Sequence, residues 1–186
     1  DIPEKFDASI CVGVLPHIPV EHDETVFNNI RACLKEGGMA IVEARNELFA
    51  LFTLNRYSSD LFETRLVPKA KMEAEIGVEP THKIFNAIRE RFRMDLPPIR
   101  KGKEDEPGYD EVLSRTHNPF EAREQFARAG FRNVRTLFYH FHVLPPMLKG
   151  EAPEAFDKLS MAMEDSPEDW RGHFMASAFL ITGIAE

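Results

Sequence analysis

Three short clusters in the chain bring together side chains that could orient a substrate or move a proton. His17 stands just past a short apolar run, Ala8 to Val14. A histidine there can act as a general base or form one wall of a site; the competing reading is a ring that merely hydrogen-bonds its own turn. Glu43, Arg45 and Asn46 close a second apolar run, Met39 to Ala44, and face the same rim. They could orient a substrate, and Asn46 could equally cap the segment that follows. Asn55, Arg56 and Tyr57 lie in an aromatic-rich stretch, residues 46–62, whose plainer reading is a helix packed on a sheet. Two further groups are weaker. His140 and His142 would share one face of a strand beside Tyr139, but no third ligand stands nearby, so no metal is expected. Glu21-His22-Asp23-Glu24 reads best as the solvated start of a helix.

The elements that carry these clusters follow from pattern. Ala8 to Val14 is nearly all apolar, as in a strand buried on both faces of a parallel sheet. Pro16 and Pro19 end it. A helix beginning near Asp23 presents Val26, Phe27, Ile30, Cys33 and Leu34, and Gly37-Gly38 should stop it before the strand at Met39. A strand–helix–strand unit of this length implies a right-handed crossover and parallel pairing. From Glu47 to about Met94 the pattern is helical, with Thr81 as a candidate cap for Ile84, Phe85, Ile88 and Phe92. A proline-rich, charged loop runs on to Gly108. Asn118-Pro119-Phe120-Glu121 then reads as cap, first-turn proline and acid three positions after the cap. Gly130 closes that helix. Val134 to Val143, a short helix over 154–163 and an apolar strand from His173 to Ile184 complete the chain. The alternation predicts an α/β fold with a doubly wound, Rossmann-like sheet. Residues 1–46 and 118–186 form its core, and 47–117 form a helical insertion or lid.

Composition narrows the partners. The 186 residues are 43% hydrophobic and 29% charged, ordinary for a globular domain. A net charge of −8 argues against a nucleic-acid backbone as partner. The basic run Arg100 to Lys103 is cancelled at once by Glu104, Asp105 and Glu106. Cys11 and Cys33 are too few for a disulfide framework and are expected as reduced, buried thiols. No apolar run reaches membrane-spanning length and no signal peptide is visible, so the cytoplasm is the expected compartment.

The order of motifs resembles the second half of the class I S-adenosylmethionine-dependent methyltransferases. Phe6-Asp7 opens the first strand and Val14-Leu15-Pro16-His17 closes it, as in that family's fourth strand. Leu34-Lys35-Glu36-Gly37-Gly38 precedes the next strand, and Ala129-Gly130-Phe131 introduces the third. The resemblance covers roughly the first fifty and last seventy residues. It implies that the last strand runs antiparallel between the second and third. It also implies S-adenosylmethionine as cofactor, with Gly13 and Val14 beside its methionine part, His17 as base or wall, and a small-molecule or sugar-linked acceptor under the lid. Two departures matter. Pro16 stands where many relatives carry an acid. No Gly-x-Gly turn occurs anywhere in the chain, although the family builds its cofactor pocket on one. The expectation is therefore a fragment that begins, at Asp1-Ile2-Pro3, downstream of that turn, binds the cofactor poorly by itself, and self-associates or pairs with a chain covering the exposed half. The rivals are a non-catalytic binding module of the same fold and an α/β transferase using a nucleotide-sugar.

Overall fold

In the computed structural model, residues 4–95 and 113–186 are described, and the basic run at 100–103 lies outside them. The chain opens with strand β1 (Phe6–Cys11), a short helical turn at Leu15–His17 and helix α1 (Asp23–Ala32). Strand β2 (Leu34–Arg45) follows almost at once. The expected glycine stop is thus displaced: α1 already ends at Ala32, and Gly37, at φ +79°, is an irregularity inside the strand. Helices α2 (Ala50–Thr53), α3 (Arg56–Leu61), α4 (Lys69–Ile76) and α5 (Val78–Arg89) make up the helical segment. Thr81 does not cap α5. It is buried one turn inside it, donating its hydroxyl to Gly77 O.

The C-terminal half carries α6 (Pro119–Arg128), β3 (Phe131–Phe141), α7 (Pro153–Met163), the helical turn α8 (Gly172–Met175) and β4 (Ala176–Ala185). Asn118 caps α6 as expected, accepting from Phe120 N, with Pro119 in the first turn. Glu121 does not return to the cap but pairs with Arg65 at 2.7 Å. His173 falls in α8, so β4 starts three residues later than its apolar run.

The sheet order is β1-β2-β4-β3. β1 and β2 are parallel, and β4 is antiparallel to both β2 and β3, which places the last strand between the second and third. The α/β class and the antiparallel last strand are as the sequence implied.

Packing divides the two faces of the sheet. On one face Val42, Ala44, Phe179 and Ile181 are buried with Phe27 of α1 and Phe126 of α6. Phe126 meets Phe27 edge-on at 5.4 Å and stacks on Phe131 at 4.1 Å. Gly183 makes room for that stack, since a Cβ there would lie 2.9 Å from the Phe126 ring and 3.0 Å from Phe131 Cβ. On the other face the register brings Ile10 beside Ile41 and Met39 beside Ile184, with Ile10 69% and Met39 44% exposed. The two sheet edges also differ. Phe138 N donates to Pro167 O, Phe141 N to Glu164 Oε1 and Val143 N to Ser160 Oγ, so the segment around α7 covers the outer edge of β3. β1 is the opposite edge and pairs only with β2 among the described residues. Cys11 and Cys33 are half-buried free thiols, and burial raises the Cys11 pKa. Among the described residues no helix is long and apolar enough to cross a membrane.

Gly183→Ala should destabilise the fold by about 1–3 kcal/mol through overpacking, against a near-neutral Gly150→Ala, whose Cβ would meet nothing within 4 Å. Equal urea midpoints for the two variants would contradict this account of the core.

Candidate functional site

A cavity of about 940 Å³ opens beyond the end of β2. β2 delivers Arg45 and Asn46 to it, the α2–α3 turn delivers Thr53, Asn55, Arg56 and Tyr57, and the segment leading to α6 delivers Ser114 and Thr116. Phe49, Ala50 and Leu61 give it an apolar side. Five of the nine residues singled out from sequence therefore converge: Arg45, Asn46, Asn55, Arg56 and Tyr57.

Local structure explains how each is held. Asn46 is 3% exposed. Its Nδ2 lies within 3.2 Å of the carbonyls of Gly172, His173 and Ala176, and its Oδ1 accepts from Leu48 N. It is the cap of the Glu47–Phe49 turn, and its side chain is committed to backbone. Asn55 caps α3, accepting from Tyr57 N at 2.9 Å and from Thr53 Oγ1 at 2.8 Å, while Ser58 Oγ accepts from Asn55 N. That capping box fixes where Arg56 and Tyr57 leave the helix. Arg45 Nη1 donates to Ser114 Oγ at 2.5 Å, and Arg56 Nη2 donates to Tyr57 OH at 3.3 Å.

The other four candidates lie outside the cavity lining. His17 sits exposed in the turn after β1, its Nδ1 2.6 Å from Leu113 O. Donation to that carbonyl would leave Nε2 as the basic nitrogen. Val14 is exposed one turn earlier. Gly13 adopts φ +71°, a conformation that favours glycine. Its N–H donates to Glu43 Oε2, and Tyr139 OH donates to Glu43 Oε1. Glu43 thus ties the turn after β1 to β3 across the sheet. Burial and this carboxylate push the Tyr139 hydroxyl pKa up.

The segment 113–117 was not legible as part of a site. It runs from the turn after β1 to the end of β2: Arg115 N donates to Pro16 O, and His117 N donates to Arg45 O at 2.7 Å. Arg115 grips Asp23 with both terminal nitrogens, the two side chains being 16% and 6% exposed. His117 is buried beside them, Nε2 3.7 Å from Asp23 Oδ2. Burial, then the Arg115 charge, lowers the His117 pKa, with Asp23 opposing. Asp23, expected as a solvated helix start, is instead a buried anchor. Behind the segment a smaller cavity of about 170 Å³ shares Glu47 and Thr116 with the main one. Glu47 pairs there with Arg65 at 3.1 Å, and burial raises its pKa.

His140 and His142 have rings 5.2 Å apart, but His140 (φ +59°) is exposed, whereas His142 packs between Phe49 and Phe156. Among the described residues no group of three or more His, Cys, Asp or Glu could hold a metal ion.

No protein-family model matches the chain, and no curated protein matches it by sequence. Among solved structures it is similar to a SAM-dependent methyltransferase from Archaeoglobus fulgidus, at 10% identity and a TM-score of 0.44, over 97% of this chain and 60% of that one. It is also similar to PKMT2 from Rickettsia typhi, at 12% identity and a TM-score of 0.39, over 96% of this chain and 36% of that one. A third is the mycolic acid cyclopropane synthase CmaA1 complexed with SAH and CTAB, at 13% identity and a TM-score of 0.33, over 97% and 55%. The chain thus spans less than two thirds of the length of each.

Two expectations follow from the buried groups. Arg115→Ala leaves Asp23 buried without its partner and should cost about 3–5 kcal/mol. Lys35→Ala, which breaks an exposed pair with Asp7, should cost at most about 1 kcal/mol; comparable losses on urea unfolding would contradict this ranking. The His142 pKa is lowered from 6.5 to about 4 by burial, then by His140 and Lys149. The unfolded chain therefore binds the proton more readily than the folded one between those values. Stability from the neutral ring is full above pH 6.5 and is lost as pH falls towards 4. His142→Phe should flatten the fall in melting temperature over that window, and an unchanged slope would refute the assignment.

Proposed function

We propose that the chain is the acceptor-side part of an S-adenosylmethionine-dependent methyltransferase acting on a small-molecule or sugar-linked acceptor. One observation carries the reading: the strand order β1-β2-β4-β3, with β4 antiparallel between β2 and β3. Phe6-Asp7 opens β1, Val14-Leu15-Pro16-His17 follows its end and Ala129-Gly130-Phe131 leads into β3, in the order of the resemblance, whereas Gly37-Gly38 lies inside β2. Residues 47–117 are the lid in this reading.

The residues present do not make a cofactor pocket by themselves. Gly13 offers open backbone at the carboxyl end of β1, with nothing within 4 Å of where a Cβ would be. Its N–H, however, is already given to Glu43, and no Gly-x-Gly turn occurs in the sequence. The remaining wall belongs to further residues lying against the bare β1 edge and the apolar face at Ile10 and Met39, supplied by a longer protein or by a partner chain. The chain's own tasks are then to hold the acceptor in the cleft and, for a hydroxyl acceptor, to take its proton at His17 Nε2.

The second reading, a non-catalytic module of the same fold that pairs with another chain, is favoured by that same exposed edge and face.

Calorimetric titration with S-adenosylhomocysteine separates these readings. The 186-residue chain should bind with a Kd above about 1 mM. A protein extended through the reading frame upstream of Asp1 should bind at least about a hundredfold more tightly, and should transfer a labelled methyl group. If the extended protein neither binds nor transfers, the enzyme reading fails and the pairing module stands.

A further inference from the structure

Several neutral groups of the cleft lining present hydrogen-bond donors. Ser114 Oγ accepts from Arg45, and Tyr57 OH accepts from Arg56, whose guanidinium carbon lies 5.1 Å from the ring centre. Each hydroxyl spends a lone pair on a guanidinium, which leaves its own proton to be donated. Asn55 Oδ1 is taken by Tyr57 N and Thr53 Oγ1, so the amide NH₂ is the end not used by the cap. Three neutral side chains of the lining thus offer donors, and two of them are polarised by the guanidinium that donates to them.

Two of the acceptors in the described lining are engaged elsewhere. Glu47 is turned to Arg65, Ser177 is engaged with His140 Nδ1 at 2.8 Å, and Asp60 is an exposed residue of α3. The apolar side at Phe49, Ala50 and Leu61 can take a hydrocarbon body.

We propose that the cleft recognises a small organic oxyanion, a carboxylate or a phosphate monoester, received by the Ser114 and Tyr57 hydroxyls and the Asn55 amide. On the methyltransferase reading this anion is the acceptor; the donor pattern itself does not depend on that reading.

The test is an ¹⁵N–¹H titration of the 186-residue chain with benzoate, phenyl phosphate and benzamide. At least one of the two anions should bind about tenfold or more tightly than the isosteric amide, with shifts at Asn55, Arg56, Tyr57 and Ser114. The tighter anion tells carboxylate from phosphate. Ser114→Ala and Tyr57→Phe should each remove several-fold of that preference. Equal binding of benzamide, no binding of any probe, or shifts confined to other surfaces overturns the proposal. Anion selectivity in a protein that never binds S-adenosylhomocysteine would sink the methyltransferase reading alone. Cofactor binding without anion selectivity would sink the oxyanion site alone.

Discussion

The side chain of Asn46 holds four parts of the molecule at one point. It sits at the end of β2, where the helical segment leaves the sheet. Its amide nitrogen reaches the carbonyls of Gly172 and His173 in α8 and of Ala176 at the start of β4, and its oxygen starts the next turn. Its backbone N–H donates to Ser177 O, and it bridges to His117. A buried amide that satisfies several main-chain groups fixes their relative positions, because losing it would leave each without a partner where water cannot replace it. The cleft inherits its geometry from this junction, since Arg45 precedes it, Glu47 and Phe49 follow it, and Ser177 is held against it.

The second constraint is electrostatic. Asp23 opens α1, where the helix dipole favours a carboxylate, and Arg115 reaches it from 92 residues away. The same arginine fixes the turn after β1 through Pro16 O and Ile18 O. Segment 113–117 is therefore clamped across the ends of two parallel strands, and Ser114 and Thr116 reach the cleft on its back. In the other direction Glu43 connects the Gly13 turn to Tyr139. The rim of the sheet is thus tied together by the side chains of Glu43 from β2, Tyr139 from β3, Asp23 from the start of α1 and Arg115 from the returning segment.

Much of the fold was legible because it is local. Periodicity placed the helices near their observed bounds, the Asn118-Pro119 cap held, and Gly130 closed α6 at φ +89°. The errors lie where tertiary contact overrides local preference. Gly37-Gly38 reads as a helix stop, yet pairing with β1 draws Leu34 into the strand. Thr81 has a cap's chemistry but lies inside its helix. In the cleft, the residues read from sequence are those beside strand and helix ends, where caps and strand breaks leave a signal. Ser114, Arg115 and Thr116 leave none. Their partners are distant in sequence, and a serine or arginine in a charged loop looks the same whether clamped or solvated.

The usual ligand position in an open α/β sheet is the crevice beyond the carboxyl ends of its strands. Here the returning segment crosses that place between β1 and β2, so what remains splits in two. On one side lies the Gly13 turn, with open backbone beside a bare strand edge and an apolar face. On the other lies the cleft, walled by the helical segment and lined with polarised donors. A two-substrate transfer needs this division, because its reactants must approach from separate pockets and meet at one rim. His17 stands in the turn after β1, tied by Nδ1 to Leu113 O at the start of the returning segment, next to Ser114. On the proposed methyltransferase reading, acceptor preference rests on the residues around Asn46 and Asn55, and cofactor affinity on whatever covers β1. Substitutions in the cleft should change one without the other.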